Sequence, residues 1–155
     1  MTTGETKNQL PKRERLYLKR DLERLFASGQ SFIAYPLRVV YCSEPATDRA
    51  PGVAILASAP KRRVRHAVDR NRIKRLIRET YRTRKTPLTE CCALHGRCLH
   101  IGFMYVGNDL PTHAAIEKAM HKAVSQILQK TTWSAVSSPA SSSCPSTSTA
   151  AASPR

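Results

Sequence analysis

Acidic residues are scarce in this chain of 155 residues, because 11 aspartates and glutamates stand against 26 lysines and arginines, giving a formal net charge of +15. The acids are mostly isolated, and the nearest pair, Asp21 and Glu23, would point in different directions from a helix. The five histidines show no paired spacing. Hydrolysis by protein side chains commonly needs a carboxylate cluster for two metal ions or a histidine pair for acid–base chemistry. The sequence therefore predicts no catalytic residue within the protein itself.

Long apolar runs are also missing. A membrane-spanning helix needs about 20 consecutive apolar residues, and the sequence contains no such run. Residues 1–10 are polar and include no apolar stretch of the signal-peptide type. These absences predict a cytoplasmic protein in a reducing compartment, with no membrane partner.

Cysteines are too few and too oddly arranged for a disulfide framework, since there are five and two of them are adjacent. They are predicted to be free thiols. One group of soft ligands could hold zinc, although its spacing matches no zinc finger or ribbon: Cys91, Cys92, His95, Cys98 and His100. We predict no metal site, and zinc binding by this group remains the alternative.

The chain does have a basic segment, residues 61–85, which contains 12 lysines and arginines and only two acids, Asp69 and Glu79. The segment has helical periodicity, and one side of that helix is predicted to face a core through Ile73, Leu76, Ile77 and Thr80, with Tyr81 at the margin. The opposite side carries Asn71, Arg75, Arg78 and Arg82. Such a stripe of guanidiniums suits phosphate groups, because arginine can donate two hydrogen bonds to one phosphate.

Three alternatives compete for this basic helix. An ordinary solvated face would interleave glutamates with lysines, and this one does not. A helix-turn-helix DNA reader would need a short helix and turn directly before it. A ribosomal or ribosome-assembly protein would account for the charge equally well. RNA binding is therefore predicted, with the type of RNA left open by the charge alone.

The remaining periodicities predict one α+β domain over residues 10–133, a two-layer α/β sandwich with a mixed sheet and the order α-β-β-β-α-β-α. A first helix around Asp21 should end at Gly29 in a left-handed conformation. Strands are predicted at 31–35, 37–42, 52–58 and 99–106, a long helix at 67–85, a loop at Pro87 and the cysteines, and a last helix opened by Thr112. Residues 1–9 and the Ser-rich residues 134–155 are predicted to be disordered.

Several of these residues resemble a known family. The stretch Ala67-Val68-Asp69-Arg70-Asn71-Arg72-Ile73-Lys74-Arg75 resembles the Arg-Asn-Arg signature of the bacterial ribonuclease P protein component. Leu10-Pro11-Lys12, Asp21-Leu22 and Pro60-Lys61-Arg62 resemble other parts of the same family. The resemblance extends over residues 10–130.

The resemblance implies an endoribonuclease that works as a ribonucleoprotein and removes the 5′ leader of precursor tRNA. Catalysis would belong to the RNA subunit and its bound Mg²⁺, with the protein as an accessory subunit. The implied partners are ribonuclease P RNA and precursor tRNA, with no protein partner required. The family also implies a left-handed crossover in the sheet, against the usual handedness.

Carried over position by position, the resemblance implies that the RNA subunit is bound by Lys61, Arg62, Arg70, Asn71, Arg72, Lys74, Arg75 and Arg78. It implies a cleft between the first helix and the sheet for the single-stranded leader, lined by Leu22, Phe26, Val39 and Tyr41. Apolar and aromatic side chains there would stack on unpaired bases. Core packing is the alternative for all four, and many family members have an aromatic residue where Leu22 stands.

Overall fold

The structure of the protein is a computed structural model that describes residues 10–47 and 49–131. The predictions of disorder for residues 1–9 and 134–155 lie outside the described residues. Within them, a short 3-10 helix at Lys12–Glu14 precedes the main elements. In chain order these are α1 (Lys19–Ser28), β1 (Gln30–Ala34), β2 (Leu37–Pro45), β3 (Gly52–Ser58), α2 (Ala67–Arg84), α3 (Thr86–His95), β4 (Arg97–Tyr105) and α4 (His113–Lys130).

The four strands form one mixed sheet in the order β1-β2-β4-β3. The β1–β2 and β2–β4 pairs are antiparallel, whereas β3 and β4 are parallel. The α+β class and the predicted order of elements are confirmed. The connection from β3 through α2 and α3 to β4 is the crossover of the parallel pair, and its left-handed sense stays a prediction.

Helix α3 was not predicted, because Pro87 and the cysteines were interpreted as a loop. Proline is compatible with the first turn of a helix, where its missing N–H has no intrahelical acceptor to lose. Leu88 and Cys92, four residues apart, are both 1% exposed and anchor α3 on the sheet. Gly96 ends the helix with a φ of 61°, in the left-handed region that favours glycine.

The sheet buries two faces of unequal extent. Alternate residues of β2, namely Leu37, Val39 and Tyr41, join the main core with α2, α3 and α4. The residues between them point the other way, and Val40 forms a smaller cluster with Leu25 of α1 and Leu16. Helix α1 therefore lies on the opposite face of the sheet from the other three helices and covers part of it.

Helix α2 packs on the main core through Ile73, Ile77, Thr80 and Tyr81. Tyr81 is fully buried beside Phe103, with ring centroids 6.1 Å apart, so it is a core residue and not a marginal one. Leu76 is half-buried, and the prediction that it belongs to the core face was only partly correct. One side of α2 is thus fixed to the protein, which leaves its basic side directed outward.

Helix α4 follows its prediction. The Thr112 hydroxyl accepts a hydrogen bond from the Ala115 amide at 3.3 Å and caps the helix. Its apolar positions Ile116, Ala119, Met120, Ala123, Val124 and Ile127 are buried, and Leu128 packs against them.

Gly29 follows α1 as predicted, but it does not adopt a left-handed conformation, since its φ is −71°. Its role is to permit close contact both with the last turn of α1 and with the neighbouring strand. A Cβ atom at this position would lie 2.1 Å from the carbonyl oxygen of Leu25 and 2.9 Å from Cγ1 of Val40. The glycine allows α1 to approach β2.

Candidate RNA interface

The basic side of α2 faces outward. Asn71, Arg72 and Arg75 are exposed, and Lys74 and Arg78 are half-exposed. Lys61 and Arg62 are exposed in the turn that precedes the helix. Since guanidinium and ammonium groups remain charged at neutral pH, the helix presents a continuous cationic surface, which we call the α2 basic face.

Arg70 differs from its neighbours because its side chain turns back onto the chain. Its Nη1 donates hydrogen bonds to the carbonyl oxygens of Val64 and Arg65, at 3.1 and 2.8 Å. Val64 is itself buried at 8% exposure. Arg70 therefore fixes the turn carrying Lys61 and Arg62, a positioning role that the sequence did not reveal.

A groove runs along the α2 basic face. Arg72, Arg75, Arg78 and Arg82 line it from α2, and the side chains of Leu10 and Arg15 close it from the chain before α1. Arg82 is bonded to Glu79 through two nitrogens, and this contact lowers the pKa of the Glu79 carboxyl. Arg15 was not among the predicted site residues, because only the fold brings it beside α2.

The second predicted surface lies at α1. Phe26 is 51% exposed, although it is a large apolar residue. Leu22 is half-buried against the smaller cluster. The two residues are four apart, so they share one flank of α1. Of the two interpretations left open for them, core packing applies in part to Leu22 and does not apply to Phe26.

Val39 and Tyr41 do not line this flank, and their prediction as cleft residues was wrong. They are 0% and 4% exposed and belong to the main core on the other face of the sheet. The Tyr41 hydroxyl donates to Oε1 of Gln30 at 2.6 Å. The error is one of register, since adjacent strand residues point to opposite faces.

The strand residues that face α1 alternate with those of the main core, so on β2 they lie one position away from Val39 and Tyr41. Leu56 and Met104 are partly buried beside Leu22 in the smaller cluster. Arg38 is exposed, and the alternation of β2 places it on the same face as Val40. Its partner across β1 is Ile33, which is 64% exposed. We call the surface formed by Leu22, Phe26, Ile33, Arg38, Leu56 and Met104 the α1 cleft.

The soft-ligand group does not assemble into one site. Cys91, Cys92 and His95 lie on α3, whereas Cys98 and His100 lie on β4. Among residues 10–47 and 49–131, no three His, Cys, Asp or Glu side chains are placed to hold a metal ion together. The four cysteines in these ranges are free thiols.

No helix in the same ranges is long and apolar enough to cross a membrane.

Comparison with known proteins adds a family to this geometry. A family model described as Ribonuclease P matches residues 10–128. A ribonuclease P protein component of Porphyromonas gingivalis is 42% identical over 118 residues, which cover 76% of this chain and 85% of that protein. Another from Chlorobium phaeobacteroides is 36% identical over 107 residues, with coverage of 64% and 73%.

The fold is shared with a solved structure of the Staphylococcus aureus RNase P protein. The TM-score is 0.56 at 19% sequence identity, and the match covers 73% of this chain and 94% of that one. The match with the family model extends over most of the chain and includes the α2 basic face and the α1 cleft. The chain belongs to the ribonuclease P protein family.

Proposed function

We propose that the chain binds the RNA subunit of ribonuclease P through the α2 basic face and holds the 5′ leader of precursor tRNA in the α1 cleft. Family membership makes the chain the protein subunit of a tRNA-processing ribonucleoprotein, and it does not favour the ribosomal alternative. The proposal concerns which residues contact which RNA. The observation that carries it is the outward direction of Arg72 and Arg75 on a helix whose other side is anchored in the core.

The α2 basic face suits the backbone of a folded RNA. Arg75 and Arg78 lie in an open groove with Arg72 and Arg15, so several guanidiniums converge on one surface. Each contact with a phosphate releases condensed counterions, which favours binding at low salt. Asn71, exposed beside them, has a donor and an acceptor that can pair with a sugar or base edge.

The α1 cleft suits an unpaired strand. Phe26 offers an exposed ring on which a base can stack, and stacking is tolerant of base identity because every base has a π-face. Arg38 supplies a cation on the adjoining strand. A cleft of this kind adds binding energy for precursor tRNA that mature tRNA, lacking the leader, cannot gain.

The chemistry itself is assigned to the RNA subunit. Mg²⁺ would be held mainly by RNA phosphates, and the protein contributes by reducing the repulsion between two polyanions.

The first experiment is cleavage of a precursor tRNA by a bacterial ribonuclease P RNA at low Mg²⁺, with and without the full chain. We expect the protein to restore cleavage at the mature 5′ end. Tight RNA binding without restored cleavage would contradict the proposal and favour a purely structural RNA-binding protein.

A double variant tests whether the α2 basic face is the surface that binds the RNA subunit. Arg75→Ala with Arg78→Ala should weaken binding to the RNA subunit and lower the slope of log affinity against log salt by about 0.7–0.9 for each lost phosphate contact. The control is Lys118→Ala with Lys122→Ala, which removes two exposed cations from α4. An equal loss of slope in both double variants would mean that charge alone, and not the α2 basic face, governs binding.

A further inference from the structure

A second polar pocket lies at the end of the sheet where α1 begins, outside both the α2 basic face and the α1 cleft. Its charged and polar lining includes Arg20, Asp21, Arg24, Glu44, Arg49 and His100. It is formed by one flank of α1, the end of β2 and the beginning of β4. We call it the α1–β4 pocket.

The two carboxylates of the α1–β4 pocket are already paired. Nη1 of Arg49 donates to Oδ2 of Asp21 at 2.8 Å, and Nη1 of Arg24 contacts Oε2 of Glu44 at 3.4 Å. Each guanidinium uses one nitrogen in these contacts and retains further N–H donors. Arg20 has no carboxylate partner within the described ranges. Among the described lining residues, three arginines stand beside two carboxylates, and the guanidiniums retain several unused donors.

His100 adds a polar group that the protein does not satisfy. Its side chain is on β4, the residue is 5% exposed, and its buried Nδ1 has no hydrogen-bond partner among the described residues. Desolvation lowers the pKa of the imidazole, which favours its neutral form at pH 7. A buried polar atom without a partner costs free energy.

The α1–β4 pocket is connected to the α2 basic face by a series of cations. A neighbouring cavity shares Arg49 and His100 with it and is also lined by Arg13. Two residues further along, Arg15 lines the groove that contains Arg75 and Arg78. A polyanion that lies on α2 can therefore follow the chain before α1 toward the pocket.

We propose that the α1–β4 pocket binds one phosphodiester of an RNA strand. Arg20 and the unused N–H groups of Arg24 and Arg49 would donate to the phosphate oxygens, beside the imidazole of His100, which lines the same pocket. This inference rests on the proposed function in taking RNA as the ligand, and it adds a third contact to the two surfaces proposed above.

Titration of the full chain with inorganic phosphate tests the pocket directly, with the imidazole NMR signals of His100 as the readout and His100→Gln to assign them. We expect a saturable shift of these signals. Arg20→Ala should weaken the response roughly tenfold, the usual effect of one lost charge-assisted hydrogen bond. The control is Lys19→Ala, which removes the same charge from the adjacent residue, whose partner is Glu23 at 3.7 Å.

Absence of a saturable response in the wild-type chain would overturn the inference, and so would a response that Arg20→Ala and Lys19→Ala weaken equally. A short single-stranded RNA is the second probe. A response to phosphate without a response to RNA would overturn the assignment of the ligand to an RNA strand. In the variant with Arg75→Ala and Arg78→Ala, the phosphate response should persist. Unchanged binding of the RNA subunit by that variant would count against the proposed function and not against the pocket.

Discussion

At the scale of single residues, the approach of α1 to the sheet depends on Gly29. We expect Gly29→Ala to lower the free energy of unfolding by about 1–3 kcal/mol, the usual cost of overpacking, because its Cβ would lie 2.1 Å from the Leu25 carbonyl oxygen of α1 and 2.9 Å from Cγ1 of Val40 on β2. Gly52→Ala is the control, since the nearest atom to its Cβ would be 4.0 Å away. Urea denaturation of both variants measures the difference, and equal unfolding free energies would contradict the proposed close contact.

Single residues also show which features of the fold could not be predicted from the sequence. A strand at 37–42 was predicted, and the alternation of its side chains separates Val39 and Tyr41 from Val40. It could not reveal which set lies under α1, because both faces of this strand carry apolar residues and both are covered. Phe26 posed the same difficulty, since an aromatic residue at helical spacing has the same pattern whether it packs in a core or borders a cleft. Contact with the sheet decides between the two, and that contact is tertiary.

At the scale of elements, α3 is a helix whose cysteines were considered as possible metal ligands, although one of them packs in the core. Its cysteines suggested ligands, whereas Cys92 is a core residue at 1% exposure and Cys91 beside it is half-exposed. Burial raises the pKa of the Cys92 thiol to about 12, so almost no thiolate is present at pH 8. We expect iodoacetamide to modify Cys91 in the folded protein and to leave Cys92 intact, as measured by mass spectrometry of peptides. Equal labelling of the two neighbours under native conditions would mean that α3 does not pack as described.

A buried ion pair joins the chain before α1 to the junction between α2 and α3. Nζ of Lys85 donates to both carboxylate oxygens of Glu14, at 3.0 and 2.8 Å, and the two side chains are only 8% and 16% exposed. Glu14→Gln should lower the free energy of unfolding by about 3 kcal/mol, because it removes the negative charge that both of these hydrogen bonds from a buried ammonium reach.

The matched control for this pair is Glu23→Gln, whose partner Lys19 is 89% exposed. An exposed pair of this kind contributes about 0–1 kcal/mol. Thermal or urea unfolding compares the two variants. If Glu14→Gln were as mild as Glu23→Gln, the chain before α1 would not be fixed by this contact, and the position of Arg15 in the α2 groove would lose its support.

At the scale of the whole molecule, the sequence was sufficient to predict two properties, the net charge and the order of the elements along the chain. The net charge of +15 indicated a polyanionic partner, and the succession of periodicities predicted the order of helices and strands apart from α3. It was not sufficient for the separation of surfaces, which depends on α1 lying on one face of the sheet and α2 on the other. The α2 basic face and the α1 cleft are therefore held apart by the thickness of the core.

This separation predicts that the two proposed surfaces act independently. We expect Arg75→Ala to weaken binding of the RNA subunit and Phe26→Ala to reduce the preference for precursor over mature tRNA. We expect the two losses of binding free energy, measured in complexes assembled with precursor tRNA, to add to within about 0.5 kcal/mol when Arg75→Ala and Phe26→Ala are combined. Such additivity is usual for distant sites without shared partners. Arg75→Ala combined with Arg78→Ala is the comparison pair, because these residues line one groove and their effects should not add. A coupling between Arg75 and Phe26 as large as that between Arg75 and Arg78 would mean that both RNAs contact a single surface.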